Sequence, residues 1–286
     1  MKRDEVRKVA RQAFEQLVRD VEAGKSDTLK AYLKAMGRFH RYSVGNAILI
    51  QLQKPDATHV AGFRAWQRLG RHVKKGEHGI AIMAPVVCRR KTQTDDSEED
   101  KDTDGGIVTT FKTTYVFDIS QTDGKPLPEF ARAQGDPGGC LERLEGFVAE
   151  RGIRLERHEG LKMAEGVSTG GTILLKASLA PAEEFSVLVH ELSHEMLHQD
   201  PSGRPEDRTV REAEAEAVAY VVCQGIGLDV STASSDYIQL YDGDKKTLMQ
   251  SLERIQRTAA EILEAVTKDG LCVDATGRSA GVAVAA

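Results

Sequence analysis

The pattern His-Glu-Leu-Ser-His at 190–194 constrains this 286-residue chain more than any other feature, because it fixes the conformation of the segment around it. Apolar residues at 187, 188, 192 and 196 recur with a helical period, so FSVLVHELSHEMLHQ is predicted to be a half-buried helix. On a helix, His190 and His194 are four residues apart and project from one face, where both imidazoles can bind one metal ion. Glu191 lies beside the first of them, in position to activate a water at the metal.

A third metal ligand has to come from another position. A metzincin would place Gly and His at 197 and 200, where this chain has Leu197 and Asp200, so that class is excluded. His198, one turn beyond the motif, is predicted to support a ligand or pack beside the site rather than to bind the ion. In the following stretch REAEAEAVAY, Glu212 and Glu216 share a helical face. One of the pair can complete a His2Glu site that leaves a position open for water, and the other can orient a histidine.

These residues predict a zinc-dependent metallopeptidase, with Mn²⁺ and Co²⁺ also compatible with the ligand set, acting on an unidentified protein or peptide. The strand predicted at 172–175 comes shortly before the histidine helix, and we expect it to bind an extended peptide as an added β-strand. Tyr220, Tyr237 and Tyr241 are the candidates for stabilising a developing oxyanion.

The charge of the chain is unevenly distributed. Residues 1–90 hold 19 Lys and Arg against 8 Asp and Glu, whereas the remainder is strongly acidic, which favours two modules, the first with an anionic partner. Cations alternate with aromatic residues in this module, a mixture that suits single-stranded nucleic acid. Phe63 and Trp66 are interpreted as core residues. The candidate contacts are Arg38, His40, Arg41, Tyr42, Arg64, Arg68, Arg71, Lys74 and Lys75. No helix-turn-helix or RNP signature is present, so binding is predicted to be independent of sequence.

The predicted fold class is α+β with two domains. A basic α+β domain spans 1–122, and its β-rich runs at 79–90 and 109–120 pair around an acidic insertion at about 91–106, predicted to be disordered. A linker rich in Pro and Gly follows at 123–139. A mainly helical domain with a small sheet covers 140–270, and a flexible tail covers 271–286.

The composition also indicates the cellular compartment in which the protein is expected to act. The four cysteines form no C-x-x-C pair, and the charged N-terminus lacks the apolar core of a signal peptide. The most apolar run, at 218–228, is too short to cross a bilayer. We therefore expect a cytoplasmic protein without a membrane partner.

The stretches RFHRYSVGNAILI, PDATHVAGFRAWQRLGRHVKKGEHGIAI and TTYVFDISQTDGKPLP resemble the N-terminal domain of ArdC-type antirestriction proteins of conjugative plasmids. The segments HELSHEMLH and REAEAEAVAY resemble the zincin domain that follows it, and also the ImmA/IrrE group of metallopeptidases. The resemblance implies a bacterial protein that binds single-stranded DNA without sequence preference. It also implies that His190, His194 and Glu212 hold the metal and that Glu191 is the general base. The residues it places on the family's signature surface are Arg38, Arg41, Tyr42, Ser43 and Asn46.

The expected role is protection of incoming single-stranded plasmid or phage DNA, by cleaving or sequestering a host protein there. One alternative is an ImmA/IrrE-like regulatory protease that cleaves a repressor. Another is a single-stranded-DNA-binding protein whose metal site is not catalytic. The intact Glu191 argues against the latter, because structural zinc sites are usually closed and rich in cysteine.

Overall fold

The computed structural model describes residues 3–23, 26–89, 107–125, 136–159, 161, 164–200, 204–228 and 245–267. The predicted acidic insertion, the tail at 271–286, and residues 126–135 of the predicted linker lie outside these residues. The chain is α+β, with a basic N-terminal half of helices and short sheets and a mainly helical C-terminal half, as expected.

Three helices begin the N-terminal half, namely α1 (Arg3–Glu22), α2 (Ser26–Arg38) and α3 (Val44–Gln53). Ser43 is the N-cap of α3 and accepts a hydrogen bond from the backbone N–H of Asn46 at 3.4 Å. A short hydroxyl side chain at this position satisfies a backbone donor that the helix itself leaves free. Ser43 thus has a local structural role at the start of α3.

The N-terminal sheet contains β1 (Val60–Gly62), β3 (Ile80–Arg89) and β4 (Ile107–Asp118) in the antiparallel order β1-β4-β3. The pairing of β3 with β4 confirms the hairpin predicted from the two β-rich runs. Side-chain amides of α3 cover the outer edge of β3. Gln53 both donates to and accepts from the backbone of Ala81 at 2.9 Å, and Asn46 does the same with Met83 at 2.8 and 2.9 Å. These four bonds occupy backbone groups that an edge strand would otherwise offer to another chain.

A short helix, α4 (Phe63–Arg68), follows β1, and β2 (Arg71–Val73) pairs with β5 (Thr122–Gly124). Trp66 is buried and donates its indole N–H to the carbonyl of Phe117 at 2.9 Å, which confirms it as a core residue. The same prediction for Phe63 is wrong, because its side chain is 48% exposed. Phe63 is the first residue of a helix that buries its other face through Ala65 and Trp66.

The C-terminal half contains α5 (Gly139–Glu150), β6 (Arg154–His158), β7 (Gly166–Ser168), β8 (Thr172–Lys176), α6 (Pro181–Leu197), α7 (Arg208–Ile226) and α8 (Lys245–Val266). The strands form a sheet of order β6-β8-β7, with β6 parallel and β7 antiparallel to β8. Helix α7 packs between α6 and α8, and its apolar residues from 215 to 223 are buried. This arrangement places the histidine helix α6 directly against the glutamate helix α7.

The two halves share one hydrophobic core. Side chains of α1 and α2, including Leu17 and Leu33, belong to the same cluster of buried residues as those of α5, α6, α7 and α8. Helix α2 crosses α7 at Gly37, where an added Cβ would lie 2.5 Å from the carbonyl oxygen of Val221. An added Cβ at Gly225 would in turn lie 3.2 Å from the carbonyl oxygen of Gly37. Only glycine permits so close an approach of the two backbones. The domain boundaries given above stay a prediction.

Candidate metal centre

The side chains predicted as metal ligands converge at the contact of α6 with α7. The Nε2 atoms of His190 and His194 lie 3.1 Å apart, and Oε2 of Glu212 lies 3.6 and 3.4 Å from them. These three form a candidate metal-binding group in the described part of the chain. A tetrahedral ion with bonds of about 2.0–2.1 Å would separate its ligand atoms by about 3.3 Å, so the three residues fit a divalent ion. The Glu212 side chain is 47% exposed, so the site opens toward solvent.

Neighbouring groups orient both imidazoles so that Nε2 carries the free electron pair. Nδ1 of His190 lies 3.5 Å from Oε2 of Glu216, to which it can donate only if it carries the proton. Nδ1 of His194 lies 3.0 Å from Nδ1 of His198, and Nε2 of His198 lies 3.1 Å from Oε2 of Glu214. Because a carboxylate only accepts, His198 donates from Nε2 and accepts at Nδ1 from His194. Two acceptor nitrogens then face each other at 3.1 Å, which favours a cation at this position.

The pKa values of the two histidines move in opposite directions. Burial lowers the pKa of His194 to about 4, with a further contribution from the charge of His190, so this imidazole is neutral at neutral pH. Burial by itself would lower the pKa of His190, but the hydrogen bond to Glu216 and the nearby carboxylates outweigh burial and raise the pKa. A proton therefore competes with a metal ion for His190, so metal affinity is expected to fall as the pH falls.

Glu214 connects the site to α8 through a buried network. Its side chain is inaccessible to solvent, and Oε1 accepts from the hydroxyl of Ser251 at 2.7 Å and from Nε of Arg254 at 3.1 Å. Burial by itself would raise the pKa of Glu214, but hydrogen bonds from His198, Arg254 and Ser251 outweigh it and lower the pKa. A chain of hydrogen bonds thus runs from His194 through His198 and Glu214 to Arg254.

Glu191 lies on the side of α6 that faces strand β7. Its side chain is buried, and burial raises its pKa, which brings the carboxyl closer to the range where it can both take and return a proton. Gly166 of β7 packs directly on it, since an added Cβ at Gly166 would lie 2.7 Å from Cγ of Glu191 and 2.6 Å from Cγ1 of Val187. The backbone of Ser168 also hydrogen-bonds to Glu191.

Glu195, one turn beyond Glu191, holds the turn between β7 and β8. Its Oε1 accepts from the hydroxyl of Ser168 at 2.6 Å and from the N–H of Gly170 at 2.9 Å, and Oε2 accepts from the N–H of Gly171 at 2.8 Å. Sequence reasoning did not identify Glu195, Glu214 or Gly166 as site residues. The spacing of Glu195 four residues after Glu191 was the one available signal, since it places both on one helical face.

The prediction that residues 172–175 bind a peptide as an added strand is wrong. These residues belong to β8, whose two edges are already paired with β6 and β7. Strands β6 and β7 are the two edge strands of this sheet among the described residues, and β7 is the one that packs on Glu191. Tyr220 is half-buried on α7, while Tyr237 and Tyr241 lie outside the described residues.

Replacing Gly166 with Ala is expected to reduce hydrolysis by about 10²-fold, because the methyl group displaces the Glu191 carboxyl from its position. Metal affinity is expected to remain unchanged, since neither residue is a proposed ligand. The comparison is made by peptide hydrolysis and metal titration of the same preparation. Gly146→Ala is the matched control, because an added Cβ there meets nothing within 4 Å. An equal loss of hydrolysis in Gly166→Ala and Gly146→Ala would contradict the role of Gly166 in positioning Glu191.

Most of the side chains predicted to contact DNA form hydrogen bonds or ion pairs within the protein. Arg38 donates to the carbonyl of Ala57, Tyr42 to that of Val60, and Lys74 to that of Ser120, at 2.9–3.3 Å. Arg71 binds Thr122 across the β2–β5 pair, and Arg41 lies 3.9 Å from Glu264. Burial lowers the pKa of His40 to about 4, so its neutral ring offers no charge to a phosphate. Arg64, Arg68 and Lys75 are exposed. The DNA-binding role of the whole set stays a prediction.

Comparison with known proteins places this arrangement in context. Residues 6–117 match the family model described as the N-terminal domain of anti-restriction factor ArdC. The chain is 27% identical over 276 residues to the uncharacterized protein pXO2-81 of Bacillus anthracis, a match that covers 82% of the chain but only 46% of that protein. It is 24% identical over 214 residues to the uncharacterized protein y4eC of Sinorhizobium fredii, covering 69% of the chain and 68% of the relative.

Two solved structures share the fold. The metal-free crystal structure of the antirestriction protein ArdC from plasmid R388 aligns with a TM-score of 0.54 at 18% identity, over 90% of this chain and 97% of that one. The Mn(II)-bound structure of the same protein aligns with a TM-score of 0.52 at 18% identity, over 91% and 99%. In the described residues, no helix combines the length and apolar character needed to cross a membrane. Residues 6–117 thus match the ArdC N-terminal domain, and the chain shares the fold of the R388 protein along nearly its whole length.

Proposed function

We propose that this protein is a metal-dependent peptidase that acts where single-stranded DNA is bound, and that it protects incoming plasmid or phage DNA. The observation that carries the peptidase half is the convergence of His190, His194 and Glu212 beside the buried Glu191. The Mn(II)-bound structure of the R388 protein supports a divalent ion in this fold. Zn²⁺ and Mn²⁺ both suit the ligand set, which has two nitrogens and one carboxylate oxygen.

The residues divide the chemical task between them. His190, His194 and Glu212 would hold a divalent ion, which would supply Lewis acidity to a bound water and to the peptide carbonyl. Glu191 accepts the proton of the attacking water and returns it to the leaving amine. Strand β7 offers its outer backbone groups to an extended peptide, and its contact with Glu191 brings that peptide close to the general base.

The DNA half rests on the basic N-terminal module and its match to the ArdC N-terminal domain. Phosphate contacts that do not depend on base sequence release counterions, so affinity should fall steeply as salt rises. A regulatory protease that cleaves a repressor, the alternative given above, requires no such affinity.

Two measurements on one purified sample of the full chain test both halves. Calorimetric titration with Mn²⁺ and Zn²⁺ is expected to show one site that His190→Ala and Glu212→Ala abolish and that Glu206→Ala, an exposed carboxylate before α7, leaves intact. Anisotropy of labelled oligo(dT) is expected to show binding whose logarithm falls linearly with the logarithm of salt. Metal binding that survives the ligand variants would refute the site. A wild-type chain without affinity for oligo(dT) at low salt would refute the DNA half.

A further inference from the structure

A row of aromatic side chains lies along one face of the N-terminal sheet. Phe111, Tyr115 and Phe117 alternate along β4 and therefore point to the same side. Phe63, at the start of α4, meets Phe117 edge-on with ring centroids 6.5 Å apart. We call these four residues the aromatic row. Phe111, Tyr115 and Phe63 are 42%, 43% and 48% exposed, and they account for three of the four exposed large hydrophobic side chains in the described residues.

Two helices cover other parts of the face that carries the aromatic row. Ala81 and Met83 are the cross-strand partners of Tyr115 and Thr113, and they are packed against α1. At the other end of the strand, Phe117 is packed with residues of α4. The opposite face of β4 is occupied by the core, where Val116 is fully buried. Phe111 and Tyr115 are thus exposed on a face of the sheet that α1 and α4 cover in part.

Tyr115 and Phe117 pack closely on Gly79. An added Cβ at Gly79 would lie 2.8 Å from Cβ of Tyr115 and 3.1 Å from Cζ of Phe117. Since real Cβ atoms do not approach so closely, any other residue would push the two rings aside. Gly79 therefore helps to set the position of Tyr115 and Phe117 in the aromatic row.

Cations stand on both sides of the aromatic row. Arg64 and Arg68 are exposed on α4, the helix that begins with Phe63. Arg7 and Arg11 are exposed on α1 and line a groove of about 330 Å³ that also includes Met83. An apolar protein partner gains nothing from guanidinium groups at both margins, whereas a polyanion carrying flat apolar groups fits both features. Single-stranded nucleic acid has this composition, and a duplex does not expose the faces of its bases.

We propose that the aromatic row is the base-stacking surface of this protein, with unpaired bases on Phe111 and Tyr115 and the phosphates along Arg7, Arg11, Arg64 and Arg68. The assignment rests on the proposed affinity for single-stranded DNA and names the residues responsible for it. It moves the contact away from residues such as Asn46, whose polar groups are bonded to β3. Stacking also accounts for binding without base preference, because every base has a π-face.

Anisotropy with oligo(dT) and with an abasic strand of the same length tests this surface in the full chain. Phe111→Leu and Tyr115→Leu keep apolar side chains but remove the rings, and each is expected to weaken oligo(dT) binding by roughly 5- to 100-fold. Neither change should alter the affinity for the abasic strand, which has phosphates but no bases. Tyr115→Phe retains the ring and is expected to bind as the wild type does. Leu52→Ala, at an exposed apolar residue outside the row, is the matched control.

The outcomes separate this surface from the function on which it rests. A wild-type chain that binds oligo(dT) and whose Leu variants bind equally well overturns the aromatic row alone. Equal weakening for oligo(dT) and for the abasic strand also overturns stacking, because the loss then lies with phosphate contacts or folding. Absence of wild-type binding overturns the DNA half of the proposed function together with this surface. Tyr115→Trp gives an independent readout, since stacking is expected to quench the new indole, while Trp66 is buried.

Discussion

Glu191→Gln is expected to lower peptide hydrolysis by about 10²–10⁴-fold while leaving the affinity for Mn²⁺ or Zn²⁺ close to that of the wild type. The amide has the shape of the carboxyl but cannot accept the proton of the attacking water. Glu191 is not one of the three converging ligands, so the ion is held as before. The measurement is cleavage of a degenerate peptide library read by mass spectrometry, with metal titration of the same preparation.

The same variant decides what the peptidase is for. Protection of incoming DNA in a transfer assay is expected to disappear with Glu191→Gln and to persist with Glu253→Gln, which changes an exposed carboxylate on α8. Undiminished protection by Glu191→Gln would show that hydrolysis is not the function and would favour a DNA-binding protein whose metal site is not catalytic.

Glu191→Gln is also expected to increase the free energy of unfolding at neutral pH. The pKa of Glu191 is raised in the folded chain, mainly by burial, so ionising it costs stability as the pH rises above the ordinary pKa of glutamate. Below that pH both states are protonated and the cost is absent. The Gln variant should therefore match the wild type in acid and exceed it in free energy of unfolding at neutral pH, as measured by urea denaturation.

Glu214→Ala is expected to reduce the free energy of unfolding by about 2–4 kcal/mol and to weaken metal binding by about 10–100-fold. The change removes the acceptor shared by His198, Ser251 and Arg254 in a site that water does not reach. The Arg254 side chain is 24% exposed, so water can hydrate it in the variant and offset part of the lost stability. His198 loses the partner that fixes which of its nitrogens donates, and His194 is then less firmly oriented.

Glu253→Ala is the matched control for stability, since it removes an exposed carboxylate next to Arg254 and should change the free energy of unfolding by less than about 0.5 kcal/mol. Glu214→Gln separates shape from charge, because its carbonyl can still accept from Ser251 and Arg254. A Glu214→Ala protein that is destabilised but binds metal with wild-type affinity would show that the network supports the fold and not the ligand.

The histidine helix and the glutamate helix could be predicted from the sequence because their evidence is local. A helical period places His190 and His194 together, and the same period places Glu212 and Glu216 on one face of the next helix. Glu214 was assigned no role for the same reason, since it lies on the opposite face, and its partner Arg254 comes forty residues later. The short stretch TILLK likewise does not show which strands will pair with it, so the central position of β8 in its sheet was not predictable. Phe63 was misjudged because composition favours burial of an aromatic ring, whereas the helix that carries it buries its other side.

The crossing of α2 and α7 at Gly37 and Gly225 limits how the two halves of such a chain can be exchanged during evolution. Helices α1 and α2 complete the core beneath the metal centre, while α1 also covers part of the sheet that carries the aromatic row. A recombination event that exchanged residues after position 122 for those of an unrelated peptidase would leave the apolar faces of α1 and α2 without their partners. The two halves are therefore expected to be inherited together. Glycine is expected to be retained at both positions of the crossing.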